Sequence, residues 1–134
     1  MRKIIDIHTH TFPEKIARSA VEKLSATSHT RPFSDGTNYG LMNSMKDAGI
    51  MLSVLQPVAT KPEQVSHIND GAIRLNTQHA NIISFGAIHP DFEDYACELA
   101  RISDAGVKGV KIHPVYQCVK IDDERFVRIL ACAG

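Results

Sequence analysis

Short runs rich in Ile and Val alternate along this chain with longer stretches whose apolar residues recur at helical spacing. This is the pattern of repeated βα units. Strands are expected over residues 3–8, 51–56, 82–89 and 107–113. Two junctions are near copies. Asp47-Ala48-Gly49-Ile50 leads into the second strand and Asp104-Ala105-Gly106-Val107 into the fourth, each reading as a helix stop with glycine at the turn. A third stop, Ala131-Cys132-Ala133-Gly134, follows a helix-like stretch carrying Phe126, Val127 and Leu130. The strand ends also echo one another as Leu55-Gln56-Pro57, Ile88-His89-Pro90 and Ile112-His113-Pro114, so they are expected on a common face.

The intervening segments carry their own start signals. Pro13 stands where helices often begin, and Ile16, Ala17, Ala20, Val21 and Leu24 make one apolar face after it. Residues 25–40 are polar and lack periodicity, and Thr37 is placed to cap a second helix bearing Leu41, Met42 and Met45. Thr60-Lys61-Pro62-Glu63 has capping-box spacing ahead of a stripe of Val65, Ile68, Ala72 and Leu75. Asp91 is expected to open the fourth helix, with Tyr95, Leu99 and Ile102 on one side.

Four sequential βα units are half of an eight-stranded barrel, a fold of about 250 residues whose active sites lie on the loops after the strands. A small doubly wound sheet competes, but no Gly-x-Gly-x-x-Gly or phosphate loop follows any strand. The expected class is therefore α/β, the N-terminal half of a TIM (β/α)8 barrel. It has about four parallel strands with flanking helices and forms a single incomplete domain over residues 1–134.

Charge narrows the partners. The 134 residues hold 15 basic and 15 acidic side chains with no long like-charged run, which argues against a nucleic-acid binder or a membrane-surface protein. A small-molecule substrate is the expected partner. No apolar stretch approaches membrane-spanning length, and Met1-Arg2-Lys3 leads into only two isoleucines before Asp6, so no signal peptide is expected. Cys97, Cys118 and Cys132 are an odd set without Cys-x-x-Cys, which points to a reducing, cytoplasmic setting and to buried or incidental thiols.

Ile5-Asp6-Ile7-His8-Thr9-His10 carries the strongest chemical signal. Period-two geometry sets Asp6, His8 and His10 on one face and Ile5 and Ile7 on the other, so both imidazoles point the same way at a strand end. That suits two ligands for a divalent metal. Seven histidines in 134 residues make about 0.4 such pairs by chance, so the placement carries more weight than the spacing. Asp6, one layer deeper, is positioned either to hold a ligand's second ring nitrogen or to join a structural network.

On the fourth strand, Lys111 and His113 share a parity opposite Val110 and Ile112, which makes them candidates for binding substrate or lying near the metal. Lysine there would pair with a substrate carboxylate or bridge metals if carboxylated; the alternative is a snorkelling side chain. His89 reads as a histidine satisfying a loop carbonyl, and His29, His67 and His79 as surface residues.

Taken together, Ile5 to His10, Asp35-Gly36-Thr37, Ser84-Phe85-Gly86-Ala87-Ile88-His89-Pro90 and Gly109-Val110-Lys111-Ile112-His113-Pro114 make the chain resemble the amidohydrolase superfamily. The likeness is to its second subgroup, which includes aminocarboxymuconate-semialdehyde decarboxylase-like and metal-dependent hydrolase members. The resemblance implies a barrel whose first-strand histidines, matched by His8 and His10, bind a divalent metal, usually zinc. It implies metal-activated water attacking a carbonyl-type carbon, with decarboxylation on the same scaffold as the alternative. In the family, further histidines after strands five and six and an aspartate after strand eight complete the chemistry, beyond Gly134. An inactive chain, or a non-catalytic half-barrel that self-associates as a homo-oligomer through its open face, is expected on that ground.

Overall fold

The computed structural model describes residues 3–134; Met1 and Arg2, part of the segment from which no signal peptide is expected, lie outside the described residues. The architecture is mixed α/β with parallel strand pairing, and the chain divides into two compact units, one ending at Leu55 and one running from Gln56.

In the first unit, strand β1 (Ile4–Thr9) leads to helix α1 (Glu14–Ser28), helix α2 (Asn38–Ala48) and strand β2 (Ile50–Leu55). Strands β1 and β2 pair in parallel, with Ile5 opposite Leu52 and Asp6 opposite Ser53. Pro13 precedes α1 with φ −53°, the value its ring imposes at a helix start. Along the expected apolar face Ala17 is buried and Ala20, Val21 and Leu24 are half-buried, while Ile16 is exposed. Thr37 caps α2 by accepting from the backbone N–H of Gly40 at 2.9 Å, and Met45 is buried. Gly49 then turns left-handed at φ 68°.

In the second unit a 3₁₀ turn (Pro62–Gln64) leads into helix α3 (Val65–Gln78). Gln64, not Glu63, closes the cap: its Oε1 accepts from the backbone N–H groups of Thr60 and Lys61 and from the Thr60 hydroxyl. The N-cap is Lys61 rather than Thr60, and Gln64 stands at capping-box spacing from it.

The expected strand 82–89 is two short pieces, β3 (Ile82–Ser84) and β4 (Gly86–Ala87). Side-chain amides also satisfy backbone groups here. Asn76 receives the N–H of Ser84 on Oδ1 and donates to its carbonyl, and Asn69 does the same for Ala87. Helix α4 starts at Tyr95 rather than Asp91 and runs to Asp104, and Gly106 ends it at φ 87°, where any other residue would be strained. The two Asp-Ala-Gly junctions thus share one backbone solution.

The expected strand 107–113 is reduced to β5 (Val110–Lys111), paired in parallel with β4. A four-residue helix, α5 (Pro114–Gln117), follows, and then α6 (Glu124–Ala133). On α6 the buried residues are Phe126 and Ile129, whereas Val127 and Leu130 face solvent. The core of this unit gathers Ala59, Val65, Ala87, Ile88, Leu99, Ile102, Val107 and Ile129. Among the described residues, no helix is long and apolar enough to cross a membrane.

Candidate functional site

His8 and His10 stand at the carboxyl end of β1, where a parallel strand delivers side chains to the loop face. Their rings lie 5.1 Å apart, centroid to centroid, at 63°. The backbone that carries them is pinned from both sides. The Thr9 hydroxyl donates to the carbonyl of Val54 on β2 at 2.9 Å, and Asp6 Oδ1 accepts from the backbone N–H of His8 at 3.1 Å. Asp6 therefore braces the main chain of His8 instead of an imidazole nitrogen. Both imidazoles are exposed to solvent.

Two imidazoles bound to one tetrahedral ion through bonds of about 2.0–2.1 Å have centroids about 5 Å apart, a separation that this pair also has. Imidazole nitrogens suit borderline metals. Among the described residues, no group of three or more His, Cys, Asp or Glu side chains converges to complete the set.

The polar segment after α1 is less featureless than its sequence. Phe12 N–H donates to Gly36 carbonyl at 2.8 Å, folding the segment back beside the strand end. The resulting open cleft of about 230 Å³ is lined by His10, Phe12, Val21, Leu24, Phe33 and neighbouring Ser and Thr residues. Asp35 anchors the turn by accepting from the N–H and hydroxyl of Thr37, and these two donors hold its carboxyl below the usual aspartate value.

In the second unit, Lys111 sits half-buried on β5 opposite Ala87. His113 acts as the cap of α5: Nδ1 accepts from the Tyr116 N–H at 3.3 Å, and its ring stacks on Tyr116 at 4.2 Å. Gln117 is the hub that the sequence reading missed. It is buried, donates from Nε2 to the carbonyls of Ala59 (2.8 Å) and Ile88 (2.7 Å), and accepts from the N–H of His113 (2.7 Å). One side chain thereby ties together the loops after three successive segments. A glutamine four residues after a strand-end histidine, reaching back to its N–H, was the available signal.

Asn69 was equally hidden, although an amide inside the Val65, Ile68, Ala72, Leu75 stripe hints at a buried polar role. Besides Ala87 it bonds Glu98 at 2.7 Å. Arg101 grips Glu98 with two bonds and pairs with Asp70 at 2.9 Å. The Arg101 bonds, more than that of Asn69, hold the buried Glu98 carboxyl below its ordinary value despite desolvation.

His89 is buried and uses Nδ1 to accept the N–H of Asp91 at 3.1 Å, so it serves a donor rather than a carbonyl. Burial, the largest influence, and the Arg125 charge push its pKa down, while Asp91 and Glu63 pull upward. Because the folded value lies below the unfolded 6.5, the unfolded chain binds the proton more readily and stability is lost as pH falls through and below 6.5. The thermal midpoint is expected to fall between about pH 7 and pH 5, and His89→Asn, which keeps an acceptor for Asp91 N–H, to flatten that slope. An equally steep slope in the variant would assign the loss to other groups.

His29 and His67 are exposed and His79 is half-buried at the end of α3. Cys97, Cys118 and Cys132 are free and exposed, so of the two readings expected for them, buried or incidental, burial does not hold. Comparisons with protein-family models, curated proteins and solved structures give no match.

Proposed function

We propose that this chain carries the first-strand half of an amidohydrolase-type, metal-dependent hydrolase site, built on the N-terminal half of a (β/α)8 barrel. The observation that carries this reading is the pair of imidazoles, 5.1 Å apart at the carboxyl end of a parallel strand. His8 and His10 would hold the ion, zinc being the best match to two nitrogen donors. When bound, a divalent metal supplies Lewis-acid activation of water or of a carbonyl-type substrate.

The chain's own residues do the rest of what is assigned here. Asp6 and Thr9 lock the backbone so that both rings project together. The neighbouring cleft, whose wall residues include Phe12, Val21 and Leu24, offers a small molecule partial shelter from water. Within the second unit, Lys111 is proposed by itself as a partner for a carboxylate, and His113, whose Nδ1 is engaged in capping, only as a group near Lys111 in the chain. Three free thiols support a reducing, cytoplasmic setting. Exposed Ile4, Ile5, Ile7 and Met51 on the first two strands support self-association, and a strictly monomeric solution mass would remove that part of the reading.

The test is metal content after extensive dialysis. Elemental analysis is expected to find close to one zinc, manganese or iron per chain, falling to background when His8→Ala and His10→Ala are combined. Metal that persists unchanged in the double variant would overturn the assignment.

A further inference from the structure

The cleft beside the carboxyl end of β1 has apolar walls. Phe12, Val21, Leu24, Pro32 and Phe33 line it together with His10, and the described lining includes no Lys, Arg, Asp or Glu. Three hydroxyls there are committed within their own segment. Ser25 donates to the Thr30 carbonyl and Ser28 to the Leu24 carbonyl, and the Thr30 hydroxyl lies 2.6 Å from Ser28 Oγ, whose own proton is already placed. A molecule in the cleft therefore meets mostly rings and methyl groups. One wall is fixed by close packing, because a Cβ added at Gly36 would stand 2.5 Å from Val21 Cγ2 and 3.3 Å from the Phe12 ring. Phe33 is 96% exposed, so its ring surface is available to whatever enters.

We propose that this cleft holds the substrate of the His8/His10 site by a neutral apolar group the size of a single benzene ring, leaving the substrate's carbonyl group beside His10. The inference rests on the metal-site reading above. Volume sets the size: a cavity of about 150 Å³ with apolar walls takes up benzene, and this open cleft measures about 230 Å³. The absence of charged lining sets the polarity. An ionised group among these walls would lose hydration without gaining an ion partner, so the part of the ligand inside is uncharged. The substrate class is a small aryl or benzyl amide or ester.

An NMR titration of the metal-free protein with para-toluamide tests the cleft by itself. A Kd on the order of 1 mM is expected. Terephthalate, with a carboxylate at each end of its ring so that one must enter, is expected to bind at least about ten-fold more weakly. Phe33→Ala, at an exposed position, is expected to weaken para-toluamide about three- to ten-fold with the thermal midpoint unchanged. Equal affinity for the two probes, or an affinity unmoved in Phe33→Ala, would overturn the proposal; a solution mass lowered in that variant would then assign the Phe33 ring to a second copy of this chain. Zinc-loaded protein ties the cleft to the histidines. Benzohydroxamate is expected to bind about ten-fold more tightly than acetohydroxamate, and Phe33→Ala to narrow that ratio; a ratio near one would overturn the link. If zinc persists in the double histidine variant, the site reading fails, while the metal-free titration still reports ring binding by itself. If zinc depends on the histidines but the probes do not discriminate, only the cleft assignment fails.

Discussion

Replacing Gln117 with leucine is expected to destabilise the second unit by about 3–5 kcal/mol. The substitution approximately conserves volume but leaves three backbone groups without their partner: the carbonyls of Ala59 and Ile88 and the N–H of His113. Each unsatisfied buried group costs about 1–3 kcal/mol, against a net worth of only about 1 kcal/mol for an ordinary hydrogen bond. The asymmetry makes the hub costly to remove. The groups it holds follow β2, β4 and β5, so the damage would fall on the loop face that positions Lys111 and His113. Urea unfolding of the variant checks this, and a loss under about 1 kcal/mol would mean that water replaces the amide at little cost.

A loss of similar size, about 3–5 kcal/mol, is expected for Asn69→Leu. Asn69 is fully buried and serves both the N–H and the carbonyl of Ala87 while donating to Glu98. Leucine would strand the Ala87 groups and strip one donor from a buried carboxylate, leaving Arg101 to neutralise it. Asn69→Asp is the sharper control. It keeps an acceptor for Ala87 N–H but places a second carboxylate where the 2.7 Å bond to Glu98 now lies, so it is expected to recover little stability at neutral pH. Full recovery by aspartate would show that the acceptor alone matters.

Acid adds a separate dependence. Glu98 and Asp123 both have folded values below their unfolded ones, Asp123 down to about 2 through its bonds to Arg125. Their stabilisation is present above the ordinary carboxylate range and is lost as pH falls through the folded values, below the window in which His89 acts.

The readable parts of the chain were those governed by neighbours in sequence. Strands β1 and β2 fell within one residue of their expected bounds because Ile-rich runs framed by polar residues leave few alternatives. Thr37 capped α2 as expected, since a hydroxyl three residues from a free N–H needs only local geometry. The same holds for the glycine stops at Gly49 and Gly106. The closeness of His8 and His10 was legible for a similar reason, because residues two apart along extended backbone lie near one another; the irregular register between Asp6 and Thr9 was not.

Strands three and four were misjudged in length where distant groups compete for the backbone. Asn69 reaches Ala87 across 18 residues and Gln117 reaches Ala59 across 58. A side-chain amide can stand in for a neighbouring strand, and no periodicity within the strand reveals that substitution. Phe126 and Ile129, rather than Val127 and Leu130, were chosen as the buried face of α6 by what α6 packs against, including α4. Local order follows from dihedral preference and hydrogen-bond reach over a few residues, which the order of amino acids specifies directly. Which amide finds which carbonyl, and which hydroxyl is left without a partner at Ser53, depends on how separate elements meet in space, and there packing and desolvation govern.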